Sequence, residues 1–263
     1  MIFKEKVVWI TGASSGIGEA LVYEFNKRNA KIIISARRID ELERVKNNCK
    51  NIENIRIIQL DLENHDVIEE KANQAFSFFG KIDYLINNGG ISQRSLVSET
   101  HLNIDKKIMD VNYFGTIALT KAVLPNMLSR KTGHIIVISS VAGKIGTALR
   151  SAYSASKHAL HGFFDSLRAE VWKENIFVTI ICPGYVKTNV SVNAITADGT
   201  AQNSMDENSE NGMLPEILAE KIIKAIKNKK EEVNIGGPEM VGIYLKRCMP
   251  RIFSSIIKRR KAV

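Results

Sequence analysis

The sequence predicts a single α/β domain over residues 1–263, an open sheet of parallel strands with helices between them. Three observations carry this. Short apolar runs such as Val7-Val8-Trp9-Ile10 and Ile135-Ile136-Val137-Ile138 have the length and composition of strands buried on both faces. Between the first run and an amphipathic stretch reaching about Arg28 lies Thr11-Gly12-Ala13-Ser14-Ser15-Gly16-Ile17-Gly18, a glycine-rich turn from strand into helix. Farther on, Ser139 and Ser140 leave a strand at its carboxyl end, where open α/β sheets bind ligands, and a tyrosine and a lysine follow at Tyr153 and Lys157.

In chain order, the first glycine turn admits a pyrophosphate, because glycine lets backbone approach closely and a helix start offers unpaired N–H groups and a positive dipole end. Lys31-Ile32-Ile33-Ile34-Ser35 reads as strand two. It runs into Ala36-Arg37-Arg38, where an NAD-preferring site places a carboxylate for the ribose hydroxyls. No acid stands at that turn, so Arg37 and Arg38 read as a guanidinium fork for a 2′-phosphate, which favours NADP (NADPH) over NAD. Arg38 reads equally well as a solvated residue heading the helix that carries Glu41 and Glu43.

Strand three, Ile55 to Leu60, ends at Asp61, which suits either an adenine edge or a helix cap. Strand four, Asp83 to Asn87, opens into Asn88-Gly89-Gly90. From about Thr100 to Leu128 the pattern is helical, with Pro125 as a late interruption and Asn112 in the interior, where its propensity is poor. Asn112 either bends the helix and holds a water near Lys157 or bonds a neighbouring carbonyl. Strand six, Phe177 to Cys182, stops at Pro183-Gly184, a corner expected to face the nicotinamide.

The stretch 189–212 turns to Asn, Ser, Thr, Asp and Gly with few apolar residues, and reads as a mobile lid over the substrate. A helix from Leu214 to Asn228 and a short edge strand, Val233 to Gly236, follow. In the segment 245–261, Leu245, Cys248, Met249, Ile252, Phe253, Ile256 and Ile257 recur at helical spacing, opposite the cations Lys246, Arg247, Arg251, Lys258, Arg259, Arg260 and Lys261. This basic amphipathic helix, restarted at Pro250, fits weak contact with an anionic membrane surface. It fits packing over the pocket or on another subunit better.

The chemistry centres on Tyr153 and Lys157, one helical turn apart on one face. A phenol titrates near pH 10, too high for acid-base work at neutrality unless a cation stabilises the phenolate. At about 4 Å that attraction is roughly 1 kcal/mol in water and about 4 kcal/mol at an effective dielectric near 20, so only a partly buried pair is useful. Spacing alone decides nothing, since Tyr23 and Lys27 share it.

Composition excludes other classes. The 44% apolar content argues against disorder. The formal charge of +9 lies largely in the seven basic residues of the tail, without interleaved aromatics, so no nucleic-acid partner is expected. Cys49, Cys182 and Cys248 are scattered, form no CxxC and read as packing residues, with no metal expected. Strand one begins within a few residues of Met1 and no apolar run reaches about 18 residues, so neither signal peptide nor membrane span is expected and the location reads as cytoplasmic.

Taken together, these motifs resemble the short-chain dehydrogenase/reductase family over nearly the whole chain. The family's TGxxxGxG turn is matched by Thr11, Gly12, Gly16 and Gly18, its adenine-site acid by Asp61, and its NNAG segment by Asn87, Asn88, Gly89 and Gly90, with Gly89 in place of the usual alanine. Its catalytic set falls on Asn112, Ser140, Tyr153 and Lys157, Ser140 being preferred to Ser139 because the family serine lies thirteen residues before the tyrosine. Pro183, Gly184 and Thr188 match its nicotinamide-side motif. The segments Ser35 to Arg38 and Asn87 to Ser95 are most like the member 7 and 7B branch, whose membrane-anchoring amino-terminal extension is not expected here.

The resemblance implies a Rossmann-type, doubly wound sheet of seven parallel strands and a homodimer or homotetramer. It implies cofactor contacts from Gly12, Ser14, Ser15, Gly16, Ile17, Gly18, Arg37, Arg38, Asp61, Leu62, Asn88, Gly89, Tyr153, Lys157, Pro183, Gly184, Val186 and Thr188. The expected reaction interconverts a small-molecule carbonyl and an alcohol. In it Tyr153 exchanges the proton, Ser140 orients the oxygen, Lys157 lowers the tyrosine pKa and holds the ribose, and Asn112 keeps a water in the proton path. Ser92, Gln93, Arg94 and Leu149 are expected to shape the substrate pocket with the lid. Two alternatives stand beside this reading. One is a dinucleotide-sensing protein without turnover. The other is a nucleotide-sugar epimerase, which normally has another glycine spacing and a longer carboxyl-terminal domain.

Overall fold

The computed structural model describes residues 2–259, so the basic positions Arg260 and Lys261 lie outside the described residues. Seven strands pair in parallel: β1 (Val7–Thr11), β2 (Lys31–Ala36), β3 (Ile55–Gln59), β4 (Tyr84–Asn87), β5 (Gly133–Ile138), β6 (Ile176–Pro183) and β7 (Glu232–Ile235), in the order β3-β2-β1-β4-β5-β6-β7. The order reverses between β1 and β4, which opens a crevice at the carboxyl ends there.

Alternation along β1 builds the two core layers. Val8 and Ile10 pack with Leu21 and Phe25 of α1 (Gly16–Asn26) and with Leu218 and Ile222 of α8 (Pro215–Lys227). Val7 and Trp9 face the other way, into the layer that holds Leu119 and Val123 of α5 (Gly115–Arg130) and Phe164 of α6 (Ser151–Val171). The remaining helices of the sheet's connections are α2 (Ile39–Asn47), α3 (Ile68–Phe79) and α4 (Leu102–Met109). The central strands are therefore covered on both faces, as their continuous apolar runs require, while the edge strands β3 and β7 keep exposed residues such as Arg56, Gln59 and Glu232.

The long helix expected over 100–128 is present but not uniform. α4 runs into α5 through a π-turn, Asp110–Phe114, with Asn112 at its centre. The residue of poor helical propensity thus marks a change in the hydrogen-bond ladder.

The stretch 189–212 is more built than its composition suggests. Ala194, Ile195, Ser191, Asp206 and Ser209 are buried, and the short helix α7 (Glu207–Glu210) lies within it. Backbone bonds from Ile195 N–H to the Ser92 carbonyl and from Arg94 N–H to the Ile195 carbonyl, both 2.8 Å, hold it against the segment after β4.

At the chain's end, α9 (Val241–Cys248) packs with α10 (Pro250–Arg259). Phe253 and Ile257 are half-buried, whereas Met249, Ile252 and Ile256 stay exposed, so part of the apolar stripe is left uncovered by this chain. Cys248 is also exposed, which corrects its reading as a packing residue; Cys49 and Cys182 are buried. Among the described residues no helix is long and apolar enough to cross a membrane, and no cluster of three or more His, Cys, Asp or Glu could hold a metal.

Candidate active site

A cleft of about 580 Å³ runs across the crevice at the strands' carboxyl ends. At its centre the glycine turn leaves β1. Gly12 and Gly16 take φ of +63° and +58°, values that side chains resist, and a Cβ on Gly12 would stand 2.8 Å from the Gly89 Cα. Ser15, the residue before α1, makes no side-chain capping bond, which leaves the first N–H groups of that helix without a cap from it. Gly18 does not line the cleft; a Cβ there would strike the Gly12 carbonyl, so it serves helix-to-turn packing instead.

Thr11 and Asn88 lock this turn to the end of β4. Thr11 Oγ1 accepts from the N–H groups of Asn88 and Gly89 at 3.0 and 2.9 Å, and Asn88 Nδ2 donates to the carbonyls of Thr11 and Gly12 at 3.0 and 3.2 Å. Gly89, where the family usually has alanine, has a local cause: a Cβ would press on Leu62 Cδ1 at 2.6 Å.

Along the β2 and β3 ends, Arg37, Arg38, Asp61 and Leu62 line the same cleft. Arg37 and Arg38 are exposed, and among the described residues neither guanidinium is held by a carboxylate. Arg38 also occupies the position before α2. Asp61 turns its Oδ1 to the Glu63 N–H at 3.1 Å, so it caps a turn while facing the cleft.

On the other side, β5 ends beneath α6. Lys157 is 5% exposed, its Nζ donates to the Ile138 carbonyl at 2.9 Å, and it sits 5.9 Å from the Tyr153 ring centre. Burial pushes its pKa down to about 8, so it carries charge at neutral pH. The pair Tyr23 and Lys27 is different. Tyr23 donates to Glu19 at 2.7 Å, Lys27 binds Glu24 at 2.8 Å, and burial with Glu19 pushes the Tyr23 phenol up to about 12.

The two serines also part company. Ser139 is buried and donates to the Lys157 carbonyl at 3.2 Å, with His161 Nε2 at 3.1 Å. Ser140 is half-buried, and its Oγ accepts from the Ala142 N–H at 3.1 Å. Asn112 is buried and does not line the cleft. Its Oδ1 accepts from the Ile91 N–H at 2.8 Å, while its Nδ2 donates to the Ile91 carbonyl at 2.9 Å and to Ser156 Oγ at 3.0 Å. Gly90 lies between: a Cβ on it would stand 3.0 Å from Asn112 Oδ1 and 3.5 Å from Lys157 Nζ.

Pro183, Gly184, Val186 and Thr188 complete the wall after β6. Two expected pocket residues are elsewhere. Gln93 is fully buried, with its amide turned to the start of α6, and Leu149 lies outside the cleft, whereas Ser92 and Arg94 do line it. Sequence reasoning also missed Arg150 and Asp206. Arg94 binds Asp206 through two nitrogens, Nε lying 3.0 Å from Oδ2, and Arg150 Nη2 reaches the same oxygen at 3.1 Å. Both arginines line the cleft, so this cluster latches the 189–212 segment at the cleft's edge.

A family profile described as short chain dehydrogenase matches residues 6–198. The chain belongs to the short-chain dehydrogenase family. The dehydrogenase/reductase SDR family protein 7-like of Drosophila melanogaster is 43% identical over 261 residues, covering 97% of this chain and 80% of that protein. Member 7B of Mus musculus is 40% identical over 264 residues, covering 98% of this chain and 81% of that protein. A short-chain dehydrogenase structure from Streptomyces avermitilis aligns with a TM-score of 0.83 and 26% identity over 98% of this chain and 97% of that one. The structure of ElxO with NADP bound gives 0.77 and 25%, over 90% and 99%. With its dehydrogenase/reductase relatives, this member is an oxidoreductase acting on a CH–OH group.

Proposed function

We propose that the cleft binds NADP(H) in preference to NAD(H) and that the protein interconverts a small carbonyl compound and its alcohol. The carrying observation is convergence: Ser140, Tyr153 and Lys157 meet at the end of β5 in the cleft that also holds the uncapped start of α1. The chain's own residues fit a dinucleotide. The glycine turn and first-turn amides of α1 suit a pyrophosphate, Asp61 suits the adenine side, and Pro183, Gly184, Val186 and Thr188 wall the nicotinamide side. Bound there, the nicotinamide gives or takes the hydride.

Tyr153 exchanges a proton with the substrate oxygen. Lys157, one turn on and charged at neutral pH, stabilises the phenolate. Ser140, whose oxygen accepts the Ala142 N–H, keeps its own proton to donate to that substrate oxygen. Asn112 pins Ile91 and borders Gly90 beside the Lys157 ammonium, so it acts from behind two residues that line the cleft.

The NADP preference rests on Arg37, exposed just past β2 and without an ion-pair partner among the described residues. The test is NADPH oxidation against a panel of aldehydes, ketones and quinones, with NADH in parallel, for wild type and Arg37→Ala. A charge-assisted contact is worth about 1.5–3 kcal/mol, so the variant raises KM for NADPH roughly 10- to 100-fold and leaves NADH almost unchanged. Equal losses for both cofactors would remove the phosphate contact. A dinucleotide-sensing protein would bind NADPH and oxidise none of it.

Assembly into a dimer or tetramer is part of the same reading, supported by Leu102, Phe114 and Trp172 standing exposed at the ends of α4, the π-turn and α6. For the α10 stripe packing against another subunit is the favoured reading, and weak contact with anionic lipid stands beside it, supported by exposed Ile252 and Ile256 beside Arg251, Lys258 and Arg259. Vesicle sedimentation checks it: weak binding to anionic vesicles at low salt, lost on deleting residues 251–263, supports lipid contact. No binding to them removes the lipid reading, and loss of activity or assembly on the same deletion supports packing.

A further inference from the structure

Helix α6 carries both Tyr153 and Lys157, yet its own sequence provides no cap. Arg150, the residue before it, makes no side-chain capping bond to the helix. The first N–H groups of a helix need acceptors from elsewhere. Here they find one in Gln93, 59 residues away in sequence: Gln93 Oε1 accepts from the N–H of Ala152 at 2.8 Å and of Tyr153 at 3.3 Å. Backbone N–H groups only donate, which fixes the orientation of the amide.

The other half of the amide is equally engaged. Gln93 Nε2 donates to Ser95 Oγ at 3.2 Å and to Thr100 Oγ1 and Ser151 Oγ, both at 3.3 Å. Gln93 has no exposed surface, so it contacts neither solvent nor the cleft. Its neighbours Ser92 and Arg94 make the backbone bonds to Ile195 of the lid segment. One side chain thus joins the lid's anchoring segment to the backbone N–H of Tyr153.

We infer that Gln93 is a positioning residue for Tyr153, acting as a neutral cap that fixes the start of α6 without charging it. This rests on the reading of Tyr153 as the proton-exchanging group. Neutrality matters as much as hydrogen bonding. A carboxylate at a helix start favours the helix through its dipole, but a negative charge this close to the phenol opposes phenolate formation.

The experiment compares Gln93→Leu and Gln93→Glu with wild type and Tyr153→Phe, using NADPH as cofactor and phenanthrenequinone as acceptor. NADPH affinity is read by fluorescence titration, and Tyr153 ionisation as the tyrosinate absorbance that disappears when Tyr153→Phe is added to each background. Gln93→Leu is expected to lower kcat by about ten- to hundredfold with NADPH affinity within about twofold, since a misplaced group costs turnover rather than cofactor binding. Gln93→Glu is expected to keep the cap and restore most of kcat at its own optimum. Its alkaline limb and its Tyr153 ionisation should both move to higher pH than in wild type.

A Gln93→Leu protein that loses thermal stability but keeps kcat overturns the inference, as does a Gln93→Glu protein that titrates like wild type. If Gln93→Leu does not fold, the Gln93→Glu arm decides alone. Normal turnover by Tyr153→Phe would instead remove the parent reading, while the tyrosinate titrations still show whether Gln93 sets the surroundings of Tyr153.

Discussion

At the scale of single residues, environment separates two pairs that spacing cannot. Tyr23 and Lys27 each turn to a glutamate, and the Tyr23 phenol is pushed up, away from neutrality. Lys157 is buried, and its ammonium donates to a carbonyl and has no carboxylate partner among the described residues. That burial has a thermodynamic sign. The unfolded lysine holds its proton to about 10.5, the folded one only to about 8, so the unfolded chain binds more protons between those values and stability rises with pH across that window. The full cost is present below about 8. Lys157→Met should therefore stabilise the cofactor-free protein at pH 7 by about 2 kcal/mol, the desolvation cost less about one lost hydrogen bond. Urea denaturation at pH 7 and at pH 10.5 measures it, and the gain should shrink at the higher pH. A destabilised variant at pH 7 would mean that the ammonium is stabilised by its site rather than strained in it.

At the scale of elements, the informative pieces are the π-turn between α4 and α5 and the latched segment 189–212. The sequence marked both by their departures, a poor helix former at Asn112 and a loss of period after Asn189, but a departure does not say what replaces the expected pattern. Asn112 turned out to bond Ile91 and Ser156. The polar segment turned out to be tied at Asp206, whose carboxyl group burial would raise but which Arg94, Gln202 and Arg150 hold below the usual range. Removing that charge leaves two largely buried guanidinium groups without their shared carboxylate. Asp206→Asn should therefore open the segment and speed thermolysin cleavage within 189–212 by about tenfold or more, with the remaining domain intact. Unchanged cleavage would show that the Ser92–Ile195–Arg94 backbone bonds suffice. Wild type with NADPH and substrate bound should be cut more slowly still.

At the scale of the whole molecule, legibility followed the range of the interactions. The strands, the glycine turn and the placement of Ser140, Tyr153 and Lys157 at the strands' carboxyl ends were readable because alternation of apolar runs and turns is local and the doubly wound topology follows from it. Gln93 capping α6 and Arg94 binding Asp206 were not readable. Their partners lie 59 and 112 residues away, and polar side chains carry no period that announces a distant acceptor. The fold sets the first kind in the cleft and the second behind or beside it, and the proposal at the centre of both is that Tyr153 moves a proton there. The most direct measurement is NADPH oxidation by wild type and Tyr153→Phe with an accepted carbonyl substrate, alongside NADPH binding to each. Tyr153→Phe is expected to bind NADPH within about twofold of wild type while kcat falls by roughly a hundredfold or more, the usual worth of a positioned acid. Near-normal turnover by Tyr153→Phe would contradict the proposal.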